Sequence, residues 1–413
     1  MKHFETRNGT LFAEGVPLER VAAEFGTPTF VYSRAALTNA HAAYAEALTG
    51  RDAMLCYAVK SNSNLAILNL FARLGTGFDI VSGGELARVV AAGGDPAKVV
   101  FSGVGKTRDE MRAALERGIY CFNVESEPEL HRLAEVAGSL GKRAPIALRV
   151  NPDVDPKTHP YISTGLKCNK FGVPITDAHA LYLAAAKLPQ LDIRGIACHI
   201  GSQLLDPAPV AEAAAKVVAL AEALNRDGIE LRHLDLGGGL GIRYDDETVP
   251  ATRDYLAPLL SVLAGRKERL LLEPGRSLVG NAGVLLSKVE YLKRGEDRNF
   301  AIIDAAMNDL ARPALYDAFH RIAEVRPHGV PDTYDVVGPV CESGDFLGRA
   351  RRLAVEPEDL VAIFSAGAYG MTMSSNYNTR ARAAEVMVDG DTCHLIRTRE
   401  RIEDLYAGER LLP

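Results

Sequence analysis

The residue that first suggests chemistry is Lys60, which lies in the stretch CYAVKSNSN at positions 56–64. It stands where an apolar run ends and a polar run begins, so we expect it at the end of a buried strand. A lysine attacks an aldehyde as the neutral amine, whereas an ordinary lysine has a pKa of about 10.4. Because burial favours the neutral amine, this position indicates Schiff-base chemistry; for Lys60 alone, a solvated surface lysine remains the alternative.

Two glycine-rich stretches indicate a phosphate site. LGGGLG occupies positions 236–241 and contains Gly237, Gly238 and Gly239, and EPGR occupies positions 273–276. Glycines let backbone N–H groups approach an anion without interference from a Cβ atom. Either stretch alone could equally be a flexible turn. Both follow the last two strands of the barrel predicted below, and that position favours an anion site.

A Schiff-base lysine and a phosphate site together imply pyridoxal 5'-phosphate (PLP). Glu273 then has a role, because the ring of PLP withdraws electrons best when an acidic partner keeps its nitrogen protonated. Two unit charges 4 Å apart attract by about 4 kcal/mol at an effective dielectric constant of 20, but by only about 1 kcal/mol in water. We therefore expect Glu273 to be partly shielded from solvent. His199 is a candidate for stacking on the ring, and a packed core histidine is the equal alternative.

The elements that would position these residues alternate along the chain from about residue 53. Eight apolar runs of strand length are separated by seven amphipathic segments with helical spacing. Runs that are almost wholly apolar are typical of parallel strands buried on both faces. Eight such units predict an α/β fold, a (β/α)8 or TIM barrel, with the polar strand ends on one rim. The runs are AMLCYAVK, TGFDIVS, KVVFSGVGK, IYCFNVES, PIALRVNP, IRGIACHIGSQ, LRHLDLGGGLG and RLLLEPGRS.

The chain after residue 280 has the pattern of a β-rich domain. Residues 284–303 predict a strand, a turn and a second strand, and YDVVGPV, DLVAIFS and AAEVMVDGDTCHLI predict further strands. The tail RTRERIEDLYAGERLL predicts a helix, and the N-terminal FETRNGTLFAEGV predicts a hairpin that could pair with the β-rich domain. We expect a PLP-binding barrel at 29–280 and a β-rich, sandwich-like or barrel-like domain made of 1–28 and 281–413.

The composition excludes several classes of protein. The chain is 47% hydrophobic and 24% charged with a net charge of −6, so no basic field indicates nucleic acid or an anionic membrane. No apolar run is long enough to span a bilayer, and the N-terminus has no apolar signal core. We expect free thiols, no metal and a cytoplasmic location, because the cysteines form neither a CxxC pair nor a zinc pattern. They stand at positions 56, 121, 168, 198, 341 and 393.

Eleven stretches of the sequence together resemble the fold-type III PLP-dependent decarboxylases, and among them the enzymes that act on diaminopimelate. Each stretch is weak by itself, but they follow the family's order over nearly the whole chain. The stretches are GTPTFVYS (26–33), YAVKSNSN (57–64), GFDIVSGGEL (77–86), RVNPDVD (149–155), NKFG (169–172), HIGSQ (199–203), LGGGLG (236–241), EPGRSLVG (273–280), DAAMNDLARPALY (304–316), GPVCESGDFL (338–347) and GAYGMTMSSNYN (367–378).

The resemblance implies decarboxylation of meso-2,6-diaminopimelate to L-lysine, the last step of lysine biosynthesis, with PLP as cofactor. It implies that Lys60 forms the Schiff base, that Glu273 partners the ring nitrogen and that His199 stacks on the ring. The phosphate cradle that it implies consists of Ser202, Gly237, Gly238, Gly239, the backbone of Gly275 and Arg276, and the hydroxyl of Tyr369.

The resemblance also implies residues for the end of the substrate that does not react. Cys341 resembles the family's general acid. In the family, the residues that Cys341 and Glu342 resemble reach into the partner subunit's site, so a homodimer is implied. Arginine is the natural bidentate partner of a carboxylate. The residues similar to those that hold the carboxylate are Arg276, Arg312, Tyr316 and Tyr369, and Glu342 is similar to the one that meets the ammonium.

Other readings remain open at this point. A decarboxylase of ornithine, arginine or carboxynorspermidine shares most of the motifs, but ornithine has no distal carboxylate for Arg312 to bind. A PLP-dependent racemase would need a second base on the opposite face of the ring. A non-catalytic PLP carrier gives no reason for Arg312 or Cys341, and a cofactor-free aldolase would lack the glycine cradle. For these two residues alone, a solvated arginine and a buried inert thiol are the alternatives.

One stretch departs from the family pattern. Where the family commonly has Arg-Pro-Arg-Pro, this chain has Arg380-Ala-Arg382-Ala. Proline restricts the unfolded chain and the folded loop alike, so the departure predicts a less rigid loop. It touches none of the candidate site residues.

Overall fold

The computed structural model describes residues 3–155 and 170–413. Its internal contacts divide the chain into two compact units. The barrel unit comprises His41–Ile242 and Thr248–Ser277, and the β-rich unit comprises Met1–Ala40, Arg243–Glu247 and Leu278–Pro413. Cys168 and the first residue of the predicted NKFG stretch, Asn169, lie outside the described residues.

The N-terminal segment forms a small antiparallel sheet, as its hairpin pattern predicts. Its strands are β1 (Phe4–Arg7), β2 (Thr10–Ala13) and β3 (Val16–Pro17). Helix α1 (Leu18–Phe25), strand β4 (Thr29–Ser33) and helix α2 (Arg34–Ala47) follow.

The barrel unit contains eight parallel strands in a closed ring, which confirms the predicted fold. The first strand pairs with both the second and the last, and the fourth pairs with the fifth, so the sheet has no free edge. A two-residue strand, β10 (Val173–Pro174), lies beside the fifth. The ring consists of β5 (Ala53–Ala58), β6 (Gly77–Ile80), β7 (Val99–Phe101), β8 (Cys121–Val124), β9 (Ala144–Asn151), β11 (Leu191–Ala197), β12 (His233–Asp235) and β13 (Arg269–Leu272).

All seven predicted helices form between the strands, and local signals fix their ends. In the third of them Thr107 and Glu110 make a reciprocal capping box, and Gly118 ends the helix in the left-handed conformation at φ 68°. The helices are α3 (Leu65–Arg73), α4 (Gly83–Ala91), α5 (Arg108–Arg117), α6 (Glu127–Ser139), α7 (Ile175–Ala185), α8 (Ala208–Arg226) and α9 (Thr252–Val262), followed by the short α10 (Arg276–Val279).

The β-rich unit contains a large mixed sheet, and the predicted strands of the C-terminal segment are all present. Strand β4 lies inside this sheet, antiparallel to β14 and parallel to β20, so the N-terminal segment completes it. The elements are β14 (Gly283–Lys293), β15 (Asn299–Ile303), α11 (Arg312–Tyr316), β16 (Ile322–Glu324), β17 (Asp332–Val337), β18 (Phe346–Leu353), β19 (Leu360–Ile363), β20 (Ala384–Asp389), β21 (Thr392–Arg397) and α12 (Ile402–Leu405).

The core of the β-rich unit joins the small sheet to the large one. Phe4 and Leu11 of the small sheet pack with Val31 of β4, Leu286 of β14 and Val386 of β20. The side chains of the N-terminal hairpin therefore contribute to the same core as the C-terminal strands.

The prediction of a C-terminal helix is wrong except for one turn, α12. The residues before it are held in extended backbone by side-chain bonds that a helix would break. Arg399 donates to the Phe25 carbonyl at 3.3 Å, and Glu400 forms an ion pair with Arg382 at 3.0 Å. After the turn, Gly408 lowers the helix propensity further.

In the two described segments, no helix has both the length and the apolar character needed to cross a bilayer.

Candidate active site

Lys60 lies just beyond the end of β5 and is paired with a buried carboxylate. Its Nζ atom is 2.5 Å from Oδ2 of Asp79, which is fully buried on the neighbouring strand β6. The Lys60 side chain remains 39% exposed, so the amine is anchored on one side and open to solvent on the other. Glu85 of α4 lies near the same pair. Burial raises the pKa of Glu85 to about 7, although a hydrogen bond from the Val81 N–H and the positive charge of Lys60 both act to lower it.

A second pair of carboxylates lies on the two strands that precede β5 in the closed ring. Asp235 ends β12 and Glu273 follows β13, and their side chains share a hydrogen bond. The side-chain amide of Asn123, on β8, donates to Asp235 Oδ2 at 3.2 Å and to Glu273 Oε1 at 3.4 Å. The amide therefore fixes the two carboxyl groups side by side.

The environment raises the pKa of both acids in this pair. Burial, followed by the charges of Asp235 and Asp79, raises the pKa of Glu273 well above its ordinary value. Burial raises the pKa of Asp235 to about 6, although its hydrogen bond with Glu273 acts in the opposite direction. That bond favours the charged form of Asp235 and the neutral form of Glu273, so Glu273 carries the shared proton as donor.

His199 lies two residues beyond the end of β11 and is neutral. Burial, then the positive charges of Arg149 and Lys60, hold the pKa of His199 well below its ordinary value. The Gly238 N–H donates to its Nδ1 atom at 3.3 Å, so the ring proton is on Nε2. A neutral ring of fixed orientation is suited to stacking on another ring.

The three consecutive glycines are required for close approach. A Cβ atom on Gly237 would lie 2.7 Å from the Cys198 carbonyl oxygen, and one on Gly238 would lie 2.4 Å from the Glu273 carbonyl oxygen. Gly239 has φ 120°, which other residues rarely adopt. Two of the three N–H groups, however, bond within the protein: Gly237 donates to Asp235 and Gly238 to His199. The prediction that the glycines leave their N–H groups available for an anion is therefore wrong for these two.

The EPGR turn brings backbone donors toward the lysine. Gly275 and Arg276 stand at the start of α10, where first-turn N–H groups have no partner within the helix. A Cβ atom on Gly275 would lie 3.1 Å from the side chains of Ala58 and Ser61, beside the turn that carries Lys60. The Arg276 side chain is buried and donates through Nε to Ser202 Oγ at 3.1 Å.

The residues of the barrel rim fit PLP. Asp79, Asp235 and Glu273 place three carboxylates near a single lysine, and a protonated ring nitrogen would relieve their mutual repulsion. In the described part of the chain, no group of three His, Cys, Asp or Glu side chains is placed to hold a metal ion. The three carboxylates suit an organic cation, and the glycine turns suit a phosphate.

The β-rich unit positions a different set of the predicted residues. Arg312 and Tyr316 stand at the two ends of α11, and Arg312 is buried. The Arg312 Nη1 atom is 2.9 Å from His320 Nε2, and its guanidinium carbon lies 4.6 Å from the centre of the Tyr244 ring. Neither His320 nor Tyr244 is among the residues that the sequence singles out.

Cys341 and Glu342 lie on an exposed loop of the β-rich unit. Asp345 is buried and holds this loop by accepting the Val340 N–H at 2.7 Å, and the Cys341 N–H donates to Asn378 Oδ1 at 2.8 Å. The Tyr377 hydroxyl lies 3.5 Å from Glu342 Oε2. Both side chains are thus exposed on a loop whose backbone is fixed.

Tyr369, the remaining predicted residue, is held in an uncommon backbone conformation. Its φ is 56°, in the left-handed region that non-glycine residues seldom occupy. Such conformations cost about 1–3 kcal/mol and are concentrated at functional sites. The two flanking glycines of Gly-Ala-Tyr-Gly give the turn room to adopt it.

The barrel residues that sequence reasoning missed carry a recognisable signal. Asp79, Asn123 and Asp235 are polar residues at or next to the last position of short, mainly apolar barrel strands. A lone carboxylate or amide in such a run must be paired or functional, because its burial is costly. Their partners come from other strands, which the local pattern does not identify.

Comparison with known proteins identifies relatives over the whole chain. Residues 34–280 match the family model described as pyridoxal-dependent decarboxylase, pyridoxal binding domain. The chain is 60% identical to the diaminopimelate decarboxylase of Pseudomonas aeruginosa, and the alignment covers 100% of both sequences.

Solved structures give the same result. A crystal structure of diaminopimelate decarboxylase from Helicobacter pylori, complexed with L-lysine, is 44% identical with a TM-score of 0.92 and covers 94% of this chain and 98% of that one. The enzyme from M. jannaschii, in co-complex with L-lysine, is 40% identical with a TM-score of 0.95 and covers 99% and 98%. The similarity therefore includes both units.

Proposed function

The chain belongs to the PLP-dependent decarboxylases, in the diaminopimelate decarboxylase family, and from this premise we propose how its residues carry out the reaction. The reaction is the loss of one carboxylate of meso-2,6-diaminopimelate as CO₂, which leaves L-lysine. The observation that carries the proposal is the rim of the barrel, where Lys60 meets buried Asp79 and the Asp235–Glu273 pair lies at the ends of the adjacent strands β12 and β13.

PLP, when bound, supplies an electron sink for the bond that breaks. We assign its aldehyde to Lys60, its ring face to His199 and its ring nitrogen to Glu273. The phosphate is assigned to Ser202, Gly239, the backbone of Gly275 and Arg276, and the hydroxyl of Tyr369, with Gly237 and Gly238 shaping the turn that carries Gly239.

Asp79 positions Lys60 for this role. A carboxylate 2.5 Å from Nζ holds the end of a long side chain in one place, and its full burial fixes the carboxylate in turn. The same atom, Asp79 Oδ2, is the nearest acceptor for the proton that Nζ must lose before the amine can act as a nucleophile.

Glu273 and Asp235 keep a proton and a negative charge at the bottom of the site. The Glu273 carboxyl group would hold the ring nitrogen of PLP, and it carries the proton that such a nitrogen needs to withdraw electrons. Asp235 stabilises the resulting arrangement, because it accepts from Gly237 N–H at 3.0 Å and from Asn123 at 3.2 Å. A buried charge with several donors remains ionised more readily than an isolated one.

The substrate is recognised at the end that does not react. We assign its carboxylate to Arg276, Arg312, Tyr316 and Tyr369 and its ammonium to Glu342, and Cys341 gives the proton that replaces CO₂. Holding the distal end orients the reacting carbon, so binding energy is used at the transition state.

Cys341 and Glu342 support a homodimer with shared sites. Both side chains are exposed on the single chain, whereas a proton donor and an ion-pair partner act more strongly in a shielded site. A second copy of this chain would supply that shielding. The five free cysteines among the described residues are compatible with a reducing, cytoplasmic location.

A substrate panel tests the proposal directly. PLP-loaded protein is incubated with meso-diaminopimelate, L-ornithine, L-arginine and carboxynorspermidine, and both CO₂ and the amine product are measured. We expect CO₂ and L-lysine from meso-diaminopimelate, with the other substrates at least about 100-fold slower, because no carboxylate engages the distal arginine. Comparable CO₂ release from ornithine or arginine, or isomerisation without CO₂, would show that the assignment is wrong.

A further inference from the structure

The bonds of His320 fix its charge state and its tautomer. Its Nδ1 atom lies 2.8 Å from the carbonyl oxygen of Phe364, and its Nε2 atom lies 2.9 Å from Nη1 of Arg312. A carbonyl oxygen only accepts, so the ring proton is on Nδ1. Arginine only donates, so Nε2 must be the acceptor. A protonated ring would turn two donors toward each other.

The surroundings hold this ring rigidly. His320 is fully buried, and the backbone next to it is paired, because the Phe364 N–H donates to the Arg321 carbonyl at 2.8 Å. The Tyr244 ring meets the His320 ring edge to face, with centroids 5.2 Å apart and an angle of 78°. The acceptor that faces Arg312 therefore has a defined position and direction.

Two contacts together set the plane of the Arg312 guanidinium. One face lies over Tyr244 at 4.6 Å, and one edge donates to His320. A guanidinium carries its five N–H donors in one fixed plane. Bidentate recognition of a carboxylate depends on the orientation of this plane, because both bonds must be nearly parallel.

We propose that His320 is a positioning residue that aims Arg312 and so makes the enzyme selective for ligands with a carboxylate at their unreactive end. The proposal rests on the proposed function, which assigns that carboxylate to Arg312. His320 itself contacts the arginine and does not contact the substrate. Its neutral ring orients a cation without neutralising it, which a carboxylate in the same place would do.

The test compares two ligands that differ only in the carboxylate. L-lysine carries an amine at one end and an amine together with a carboxylate at the other, and cadaverine is the same diamine without the carboxylate. Their dissociation constants are measured on the PLP-loaded enzyme by calorimetry, for the unchanged protein and for His320→Phe, His320→Gln and Arg312→Met. Phenylalanine fills the space of the ring without an acceptor, whereas glutamine keeps one donor and one acceptor.

We expect His320→Phe to weaken L-lysine binding roughly 10- to 100-fold, the range for a lost bond to a charged group, and to change cadaverine binding less than about twofold. His320→Gln should recover most of the lost L-lysine affinity. Arg312→Met should also weaken L-lysine binding more than cadaverine binding, and its effect on L-lysine should be at least as large as that of His320→Phe. A packing role alone would not produce selectivity for the carboxylate or recovery by glutamine.

The outcomes separate this inference from the function on which it rests. If Arg312→Met weakens both ligands equally, the assignment of the substrate carboxylate to Arg312 is wrong. If Arg312→Met weakens L-lysine more than cadaverine but His320→Phe does not, the assignment of the substrate carboxylate to Arg312 is retained and the proposed role of His320 is wrong. If His320→Phe does not retain PLP, His320→Met replaces it as the variant without a strong acceptor. The loss of L-lysine affinity relative to cadaverine affinity then decides in the same way.

Discussion

Apart from Arg276 and Tyr369, to which we assign contacts with both cofactor and substrate, the proposed cofactor residues stand at the ends of buried barrel strands, whereas the proposed substrate residues stand on loops and on a five-residue helix of the β-rich unit. Asp79 and Asp235 are almost completely buried and are held by the register of their strands. Cys341 and Glu342 are exposed on a loop that side-chain bonds hold in place.

The difference indicates a division of labour between the two units. Groups on strand ends move little, which suits a cofactor whose reactive atoms must meet several partners at once. Loops tolerate exchange of residues, which suits recognition of one substrate among related amino acids. Changes in the barrel should therefore affect every substrate, and changes in the β-rich unit should affect discrimination between substrates.

The largest effect is expected at the lysine of the barrel rim. Lys60→Ala should lower kcat for meso-diaminopimelate by at least about 1,000-fold and abolish the pyridoxyl-lysine adduct formed with borohydride, because the amine proposed to form the Schiff base is lost. Mass spectrometry of the reduced, digested protein locates the adduct. Lys267→Ala, an exposed lysine of the same unit, is the control. An adduct found at another lysine of the unchanged protein would contradict the assignment.

The second prediction concerns the buried acid pair of the barrel. An acid whose pKa is raised by folding is destabilising once ionised, and the pKa of Asp235 is raised from near 3.8 to about 6. This destabilisation is absent below about pH 4, grows as the pH rises and is complete above about pH 6. Ionisation of Asp235 in the cofactor-free protein should thus cost roughly 3 kcal/mol of unfolding free energy over this window, and Asp235→Asn should lack this contribution.

Urea unfolding at several pH values measures that difference, and the readout is the pH slope relative to the unchanged protein. Asp297→Asn, in the exposed turn between β14 and β15, is the control and should keep the slope. Other titratable groups also act on the pair, namely Asp79, Lys60, Cys56 and Cys198. The pH slope of each variant is therefore compared with that of the unchanged protein. An unchanged slope in Asp235→Asn would show that the pair does not titrate as described.

The strands and the barrel are predictable from the sequence because each strand is a local pattern. Eight apolar runs end in polar residues, and a parallel sheet buried on both faces requires such runs. Lys60 and Glu273 are predictable for the same reason, since each follows a run directly. The bond between Asp235 and Glu273 is not, because it depends on which strands become neighbours in the closed ring.

The β-rich unit shows a similar limit. Strand β4 reads TFVYS, five buried residues that would suit a barrel strand equally well, and only its pairing with β14 and β20 decides its place. The contact of His320 with Arg312 is also invisible in the sequence, because eight residues in a non-helical segment have no fixed spatial relation. The tail was predicted as helical because helix propensity ignores the long-range bonds of Arg399 and Glu400.

A smaller effect is expected at the exposed glutamate of the β-rich unit. Glu342→Gln should lower kcat/KM for meso-diaminopimelate by roughly 10- to 100-fold, because a charge-assisted bond to the distal ammonium is lost. PLP affinity, measured by absorbance titration, should stay within about twofold. Glu296→Gln, in an exposed turn, is the control. Equal losses of PLP affinity and turnover would place Glu342 with the cofactor residues and undo the division between the units.

The smallest effect is expected in the loop that departs from the family pattern. Arginine contacts already order it, since Arg380 donates through Nε to Asn308 at 3.0 Å and Arg382 pairs with Glu400 at 3.0 Å. Arg380 has φ −83° and ψ 135°, which suits a residue before proline. Ala381→Pro should therefore raise the unfolding free energy by only about 0.4–1 kcal/mol in urea and leave kcat/KM unchanged. A fall in kcat/KM would mean that this loop must move during turnover, so that the β-rich unit works by adaptable loops where the barrel works by fixed strand ends.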